Sequence, residues 1–154
     1  MLIGNFLTLA ECTKSNTAIK YGIPNIPYAD DILAMQNFVE KVYHPCCEKF
    51  NCKIPFSSFY RSPALNRKIS GASSTSQHST GEAMDMDFDL NTDLKVSNKQ
   101  LFDYIKNNLQ FDQLINEFNY SWIHCSYSVT GRNRNMILSA ERINGNIIYK
   151  HLNK

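Results

Sequence analysis

The sequence contains no apolar run long enough to cross a bilayer. Its start, Met1-Leu2-Ile3-Gly4-Asn5-Phe6, lacks the basic flank and extended apolar region of a secretory signal. Charge of one sign is also scarce: 16 Lys and Arg against 14 Asp and Glu leave a net charge of +2. That is too little to point to nucleic acid, though it does not prevent approach to an anionic polymer. No C-x-x-C pair occurs among the five cysteines, Cys12, Cys46, Cys47, Cys52 and Cys125. An odd number with two adjacent members makes neither a disulfide framework nor a cysteine zinc knuckle, and reduced thiols in a cytoplasmic protein are the simpler expectation. Repeats, low-complexity tracts and long linkers are missing too, so one domain over 1–154 is expected. With 43% hydrophobic and 19% charged residues, its composition is that of an ordinary globular chain able to build a core.

The local signals order helices first and strands mostly afterwards. Thr8 and Glu11 fit a capping box opening a short helix, and Gly22 and Pro24 end the N-terminal helical region. Asp30 is placed to cap a main helix on which Ile32, Met35, Val39, Val42 and Cys46 recur at helical spacing, with Leu33 and Phe38 widening the stripe. Pro45 should kink or interrupt it. Ser62-Pro63 reads as an N-cap with proline at the first helical position, and Ser97 caps a further helix carrying Leu101, Phe102, Ile105 and Leu109.

Downstream, Met84, Met86, Phe88 and Leu90 alternate with Asp85, Asp87 and Asp89, which predicts a strand with the carboxylates on one face. Residues 111–117 and 122–128 predict a hairpin around Asn119-Tyr120, and 136–141 with 147–149 a second hairpin turning at Asn144-Gly145. This order predicts an α+β domain with an antiparallel sheet and helices packed on one face.

The segment Ser76-Gln77-His78-Ser79-Thr80-Gly81-Glu82-Ala83-Met84-Asp85 carries the chemistry. Gly81 and Ala83 allow close backbone packing between a histidine and an aspartate. A second histidine, His124, shares strand parity with Trp122 and Ser126. If the two strands are neighbours, Asp85 and His124 converge and His78 closes the third side. Two imidazoles and one carboxylate hold Zn²⁺ while leaving a position for water, the coordination of a catalytic rather than a structural zinc. Singly, His78 reads as a solvated loop residue and His124 as a core histidine; the combination points to metal. Asp87 and Asp89 read as solvated or structural carboxylates, with Asp87 a candidate partner of a ligand.

Phe59-Tyr60-Arg61-Ser62-Pro63, then Asn66, the 76–85 segment and Trp122-Ile123-His124 together resemble the zinc D-alanyl-D-alanine carboxypeptidase family, which includes phage and prophage murein peptidases. Asn5 to Glu11, Gly22-Ile23-Pro24-Asn25 and Phe111 to Glu117 resemble its phage-type branch. The likeness runs from about residue 5 to residue 128, and residues 129–154 match nothing of use. It implies the small α+β fold shared by these DD-peptidases and the hedgehog signalling domain.

It further implies Zn²⁺ as cofactor on His78, Asp85 and His124, and cleavage of a peptide bond in peptidoglycan stem peptides, by D-Ala-D-Ala carboxypeptidase or endolysin-type endopeptidase action. In many relatives a His or Glu two or three residues before the last ligand is the base, but Trp122 and Ser121 stand there. Glu117 is the substitute and Asp112 the runner-up. Arg61 would clamp a substrate carboxylate or carbonyl oxygen. Ser76, Gln77 and Trp122 are further substrate-binding candidates, each of which also reads as an ordinary turn or core residue.

The expected protein is a monomeric metallopeptidase without a transmembrane segment, phage or prophage encoded. It would be cytoplasmic in the producing cell and reach the wall through a lysis pore or from a virion. Two alternatives remain: a catalytically inactive zinc-containing wall-binding or structural module, motivated by the missing acid or base beside His124, and a tail-associated wall-binding protein.

Overall fold

A computed structural model describes residues 1–152; residues 153 and 154, the end of the domain expected over 1–154, lie outside the described residues. The chain begins with a short ribbon, β1 (Leu2–Gly4) and β2 (Leu7–Thr8), and a helical turn α1 (Leu9–Cys12). Thr8 and Glu11 close the expected capping box. Helix α2 (Asn16–Tyr21) ends on Gly22 in the left-handed conformation.

The main helix, α3 (Ala29–Phe38), starts two residues earlier than expected. Tyr28 is its N-cap residue, and the Asp31 carboxylate accepts from the Tyr28 backbone N–H at 2.9 Å, so Asp30 lies in the first turn and is not the cap. Leu33, expected to widen the apolar stripe, is 57% exposed, while Met35, Phe38, Val39, Val42 and Cys46 are buried. The interruption expected at Pro45 takes the form of a change of helix type rather than a break in the helical path. A π-helical turn over Val39–Tyr43 carries α3 into α4 (His44–Phe50), with the His44 N–H reaching the Val39 carbonyl. Proline lacks an N–H and its ring collides with the carbonyl one turn back; one wide turn ahead of it relieves both problems.

Strands β3 (Phe56–Ser58) and β4 (Ala83–Met86) flank α5 (Pro63–Asn66), which Ser62 caps as expected. Here the alternating pattern misled. The strand stops at Met86, and Phe88–Leu90 form a 3₁₀ turn whose N-cap Asp87 accepts from the Asp89 N–H at 2.9 Å. Asp87 also accepts from Asn98, so its carboxylate is structural. Helix α6 (Asn98–Asn108) has a capping box of Ser97 and Gln100. Both hairpins form: β5 (Gln113–Glu117) with β6 (Trp122–Ser126), and β7 (Met136–Ile143) with β8 (Asn146–His151). Asn144 and Gly145, at φ 51° and 82°, supply the positive φ pair of a tight hairpin turn.

The six-stranded sheet has the order β3-β4-β6-β5-β7-β8. It is mixed, not purely antiparallel: β7 pairs parallel to β5. After β6 the chain returns to the far edge of β5 and runs opposite to β6, hence along β5. One sheet face, carrying Met84, Met86, Leu114, Ile123 and Cys125, packs on Phe38, Val42, Cys46 and Leu101 of the helices. So the helices cover one face, and the opposite face carries the polar residues. All five cysteines are free thiols, and burial raises the Cys12 and Cys125 thiols far above their ordinary range.

Candidate metal and catalytic site

Register builds the site. Asp85 lies directly opposite His124 across β4 and β6, and His124 opposite Ile115 across β6 and β5. Both polar side chains therefore stand on the face that the helices leave open. His78 arrives from a 3₁₀ turn, Gln77–Thr80, that ends on Gly81 at φ 73°. A Cβ on Gly81 would sit 2.3 Å from the Asp31 carbonyl oxygen, so no side chain fits where this turn meets α3. Ala83 is fully buried between neighbouring strands. These are the close approaches expected of the two small residues.

The three ligand candidates meet. His78 Nε2 is 3.2 Å from Asp85 Oδ1 and 3.3 Å from His124 Nδ1, and His124 Nδ1 is 2.9 Å from Asp85 Oδ1. His78 Nδ1 lies 2.6 Å from the Phe59 carbonyl oxygen. Donation of the Nδ1–H to that carbonyl leaves the Nε2 lone pair facing the other two ligands. A tetrahedral zinc with bonds of about 2.0–2.1 Å needs donors roughly 3.3 Å apart, and the observed separations are at or just inside that value. The donor set and its spacing fit a zinc ion.

Electrostatics follow the same pattern. Burial opposes ionisation of Asp85, yet His78 and His124 hold its carboxyl well below the usual carboxylate range. Burial lowers the pKa of the His78 imidazole, with Asp85 opposing, which keeps the ring available as a neutral donor of electron pairs.

Around this centre lies a cleft of about 710 Å³. Glu117, at the end of β5 opposite Trp122, is 7% exposed and lines it. Burial pushes its carboxyl from 4.5 up to about 7, His124 pulling down and Asp85 pushing further up. Asp112, the runner-up base, is differently occupied. Arg134 donates to it from Nε at 2.7 Å and from a terminal nitrogen at 2.6 Å, and Gln77 Nε2 donates at 3.0 Å. Despite burial, these bonds hold the Asp112 carboxyl below its ordinary value.

Gln77 is therefore a strut between the His78 turn and β5, with its amide already engaged. Ser76 caps that turn through its backbone carbonyl, which accepts from Ser79, and lines the cleft. Trp122 forms a cleft wall, tilted against Phe118 with centroids 5.3 Å apart. Arg61 also lines the cleft, and its buried Nε has no partner among the described residues. Burial lowers the guanidinium pKa, with Asp85 opposing.

Several positioning residues carried no assigned role in the sequence. Asn25 donates to the Thr13 and Tyr60 carbonyls and accepts from the Ser62 N–H, fixing the segment that bears Arg61. Asn98 ties Phe88 and Asp87 to the Tyr120 and Ser121 carbonyls of the hairpin turn after Glu117. Their signal is a polar residue on an otherwise apolar, buried surface, which only the fold reveals. Arg142 and Tyr149 enter the cleft from the second predicted hairpin, in residues 129–154, to which the sequence assigned no functional role.

Among the described residues no helix is long and apolar enough to cross a membrane. No curated protein matches the chain. A family profile described as peptidase M15 does match, over residues 5–126, a span that holds all three metal-ligand candidates, Arg61 and Glu117. The chain thus belongs to the peptidase M15 family, the zinc D-Ala-D-Ala carboxypeptidase-like metallopeptidases whose substrates are peptidoglycan-related.

Proposed function

We propose that the protein is a zinc peptidase hydrolysing peptide bonds in peptidoglycan stem peptides, and that it is phage or prophage encoded. The observation that carries this reading is the convergence of His78 Nε2, Asp85 Oδ1 and His124 Nδ1 at the floor of a cleft that also holds the buried Glu117 carboxyl. Zinc bound by these three atoms supplies Lewis acidity and an acidified water.

The chain's own residues do the rest. Glu117, its carboxyl raised by burial, takes a proton from the attacking water and delivers it to the departing amine. Its depth in the wall of the cleft keeps bulk water from competing for that proton. Arg61 Nε is a buried donor without a partner among the described residues, a costly arrangement that a substrate carboxylate or carbonyl oxygen relieves. Ser76 and Trp122 border the substrate path, and Gln77 and Asp112 hold the His78 turn in register with β5.

The test is digestion of purified peptidoglycan by the zinc-loaded protein, followed by mass spectrometry of the released fragments. New stem-peptide termini from the wild type and none from Glu117→Gln support the proposal and identify the bond. Tight zinc binding with no fragments from the wild type overturns it in favour of a zinc-holding wall-binding module.

A further inference from the structure

The C-terminal hairpin lies outside the matched family region, yet it builds one end of the cleft. Leu138 is opposite Ile115 and Ala140 opposite Glu117 in the parallel β5–β7 pair, so alternation places Arg142 on the site face as well. Ile115, Leu138 and Ala140 form a small apolar floor distinct from the main core, with Phe118 and Ile147 packed against it. Across the cleft the loop after α5 comes down onto this hairpin, a Cβ on Gly71 standing 3.5 Å from Ile147 Cδ1. Cleft and hairpin are one continuous surface.

Two arginines stand on this wall, in opposite states. Arg134 is neutralised by its two-pronged contact with Asp112. Arg142 makes no ion pair among the described residues; its guanidinium carbon sits 5.5 Å from the centroid of Phe118. Phe118 itself adopts φ 48°, a left-handed conformation costly for a bulky residue. It is the first of three consecutive left-handed residues, Phe118, Asn119 and Tyr120, of the turn between β5 and β6, and its ring lies against Trp122 with the Arg142 guanidinium over it. A guanidinium held over a ring in this way still has N–H groups free to receive a carboxylate.

We infer that Arg142, seated on the Phe118–Trp122 aromatic platform, forms a second carboxylate-binding subsite that reads an anionic group of the peptide substrate at a distance from the scissile bond. This rests on the peptidase reading of the metal centre. Two strand spacings and four residues of rise put the Arg142 backbone about 16 Å from that of His124, roughly five residues of extended peptide. A γ-linked glutamate in a stem peptide bears a free α-carboxylate two residues before the terminal D-alanine bond, and the longer γ-link together with the length of an arginine side chain covers the rest of that span. Arg61 is left to the group beside the metal.

The test measures binding to zinc-loaded Glu117→Gln protein, in which cleavage does not interfere. The probes are L-Ala-γ-D-Glu-L-Lys-D-Ala-D-Ala and the same peptide with the D-Glu α-carboxyl amidated. Arg142→Ala should weaken the first at least tenfold and the second less than twofold, with Arg142→Lys in between because it keeps charge and loses the guanidinium. Unchanged thermal unfolding of these exposed-site variants separates the effect from misfolding. Equal losses for both peptides, no loss for either, or no binding at millimolar peptide overturns the subsite. The outcome is distinguishable from failure of the peptidase reading: a wild type that binds in this Arg142-dependent way but cleaves nothing keeps the subsite and loses the enzyme. A wild type that cleaves while Arg142→Ala binds normally does the reverse.

Discussion

The Phe59 carbonyl oxygen lies 2.6 Å from His78 Nδ1 and thereby decides which nitrogen of that imidazole faces the metal. Phe59 and His78 come from different segments, and a further backbone bond from the Arg61 N–H to the His78 carbonyl, at 3.1 Å, locks them side by side. The residue meant to hold metal and the residue meant to hold substrate are thus fixed to one another before either meets its ligand, which is the preorganisation a catalytic centre requires.

Removing any one of the three converging donors should abolish tight zinc binding. His78→Ala, Asp85→Ala and His124→Ala are each expected to weaken zinc by more than the roughly 10–100-fold typical of changes in groups that merely orient ligands. Competition with a chromophoric chelator measures this. Near-wild-type zinc affinity in any of the three would remove that residue from the ligand set.

Glu117→Gln should retain zinc and lower kcat by at least about 100-fold, whereas Asp112→Asn should cost markedly less, because Asp112 is occupied by Arg134 and Gln77. Steady-state kinetics on a defined stem peptide decide between them. A larger loss in Asp112→Asn than in Glu117→Gln would reverse the assignment.

The same glutamate sets a stability signature in the zinc-free protein. Its carboxyl rises from 4.5 to about 7 on folding, so the folded state binds this proton more tightly than the unfolded state. Stability contributed in this way is fully present below pH 4.5, declines between 4.5 and about 7, and is level above that. Denaturant titrations at pH 5 and pH 8 should show Glu117→Gln lacking a decline of up to about 3 kcal/mol seen in the wild type. Parallel pH profiles for the two proteins would show that the carboxyl is not perturbed.

Gly81→Ala combines a left-handed backbone with a Cβ placed 2.3 Å from the Asp31 carbonyl oxygen. It should destabilise the protein by about 2 kcal/mol or more and weaken zinc binding through displacement of the His78 turn. Thermal unfolding and zinc titration report both effects; a neutral substitution would mean that α3 and the turn are not held as close as described.

The activity should fall as pH drops through the range where Glu117 gains its proton, which the charge of bound zinc sets below the value of about 7 in the zinc-free protein. A pH profile of kcat/KM on a defined stem peptide tests this, with a flat response between pH 5 and 8 as the contrary result.

Local chemistry was legible in the sequence wherever a few neighbouring residues decide the outcome. The Thr8–Glu11 capping box, the Ser97 N-cap and the Asn144-Gly145 turn all depend on contacts within one turn. Alternation failed beyond Met86 because the Asp87 side chain bonds its own neighbour's backbone, which competes with continuing the strand. Pro45 stayed within a helical stretch because one π turn absorbs its defect. The long-range pairings were not legible at all. Whether β4 and β6 are neighbours, whether Asp112 is free or held by Arg134, and whether β7 runs along or against β5 are decided by packing between distant segments. The residues themselves specified which groups can bind metal and move protons; the sheet register alone set Asp85 opposite His124 and brought Arg142 to the far end of the same cleft, because a strand's two faces are interchangeable until its partners are chosen.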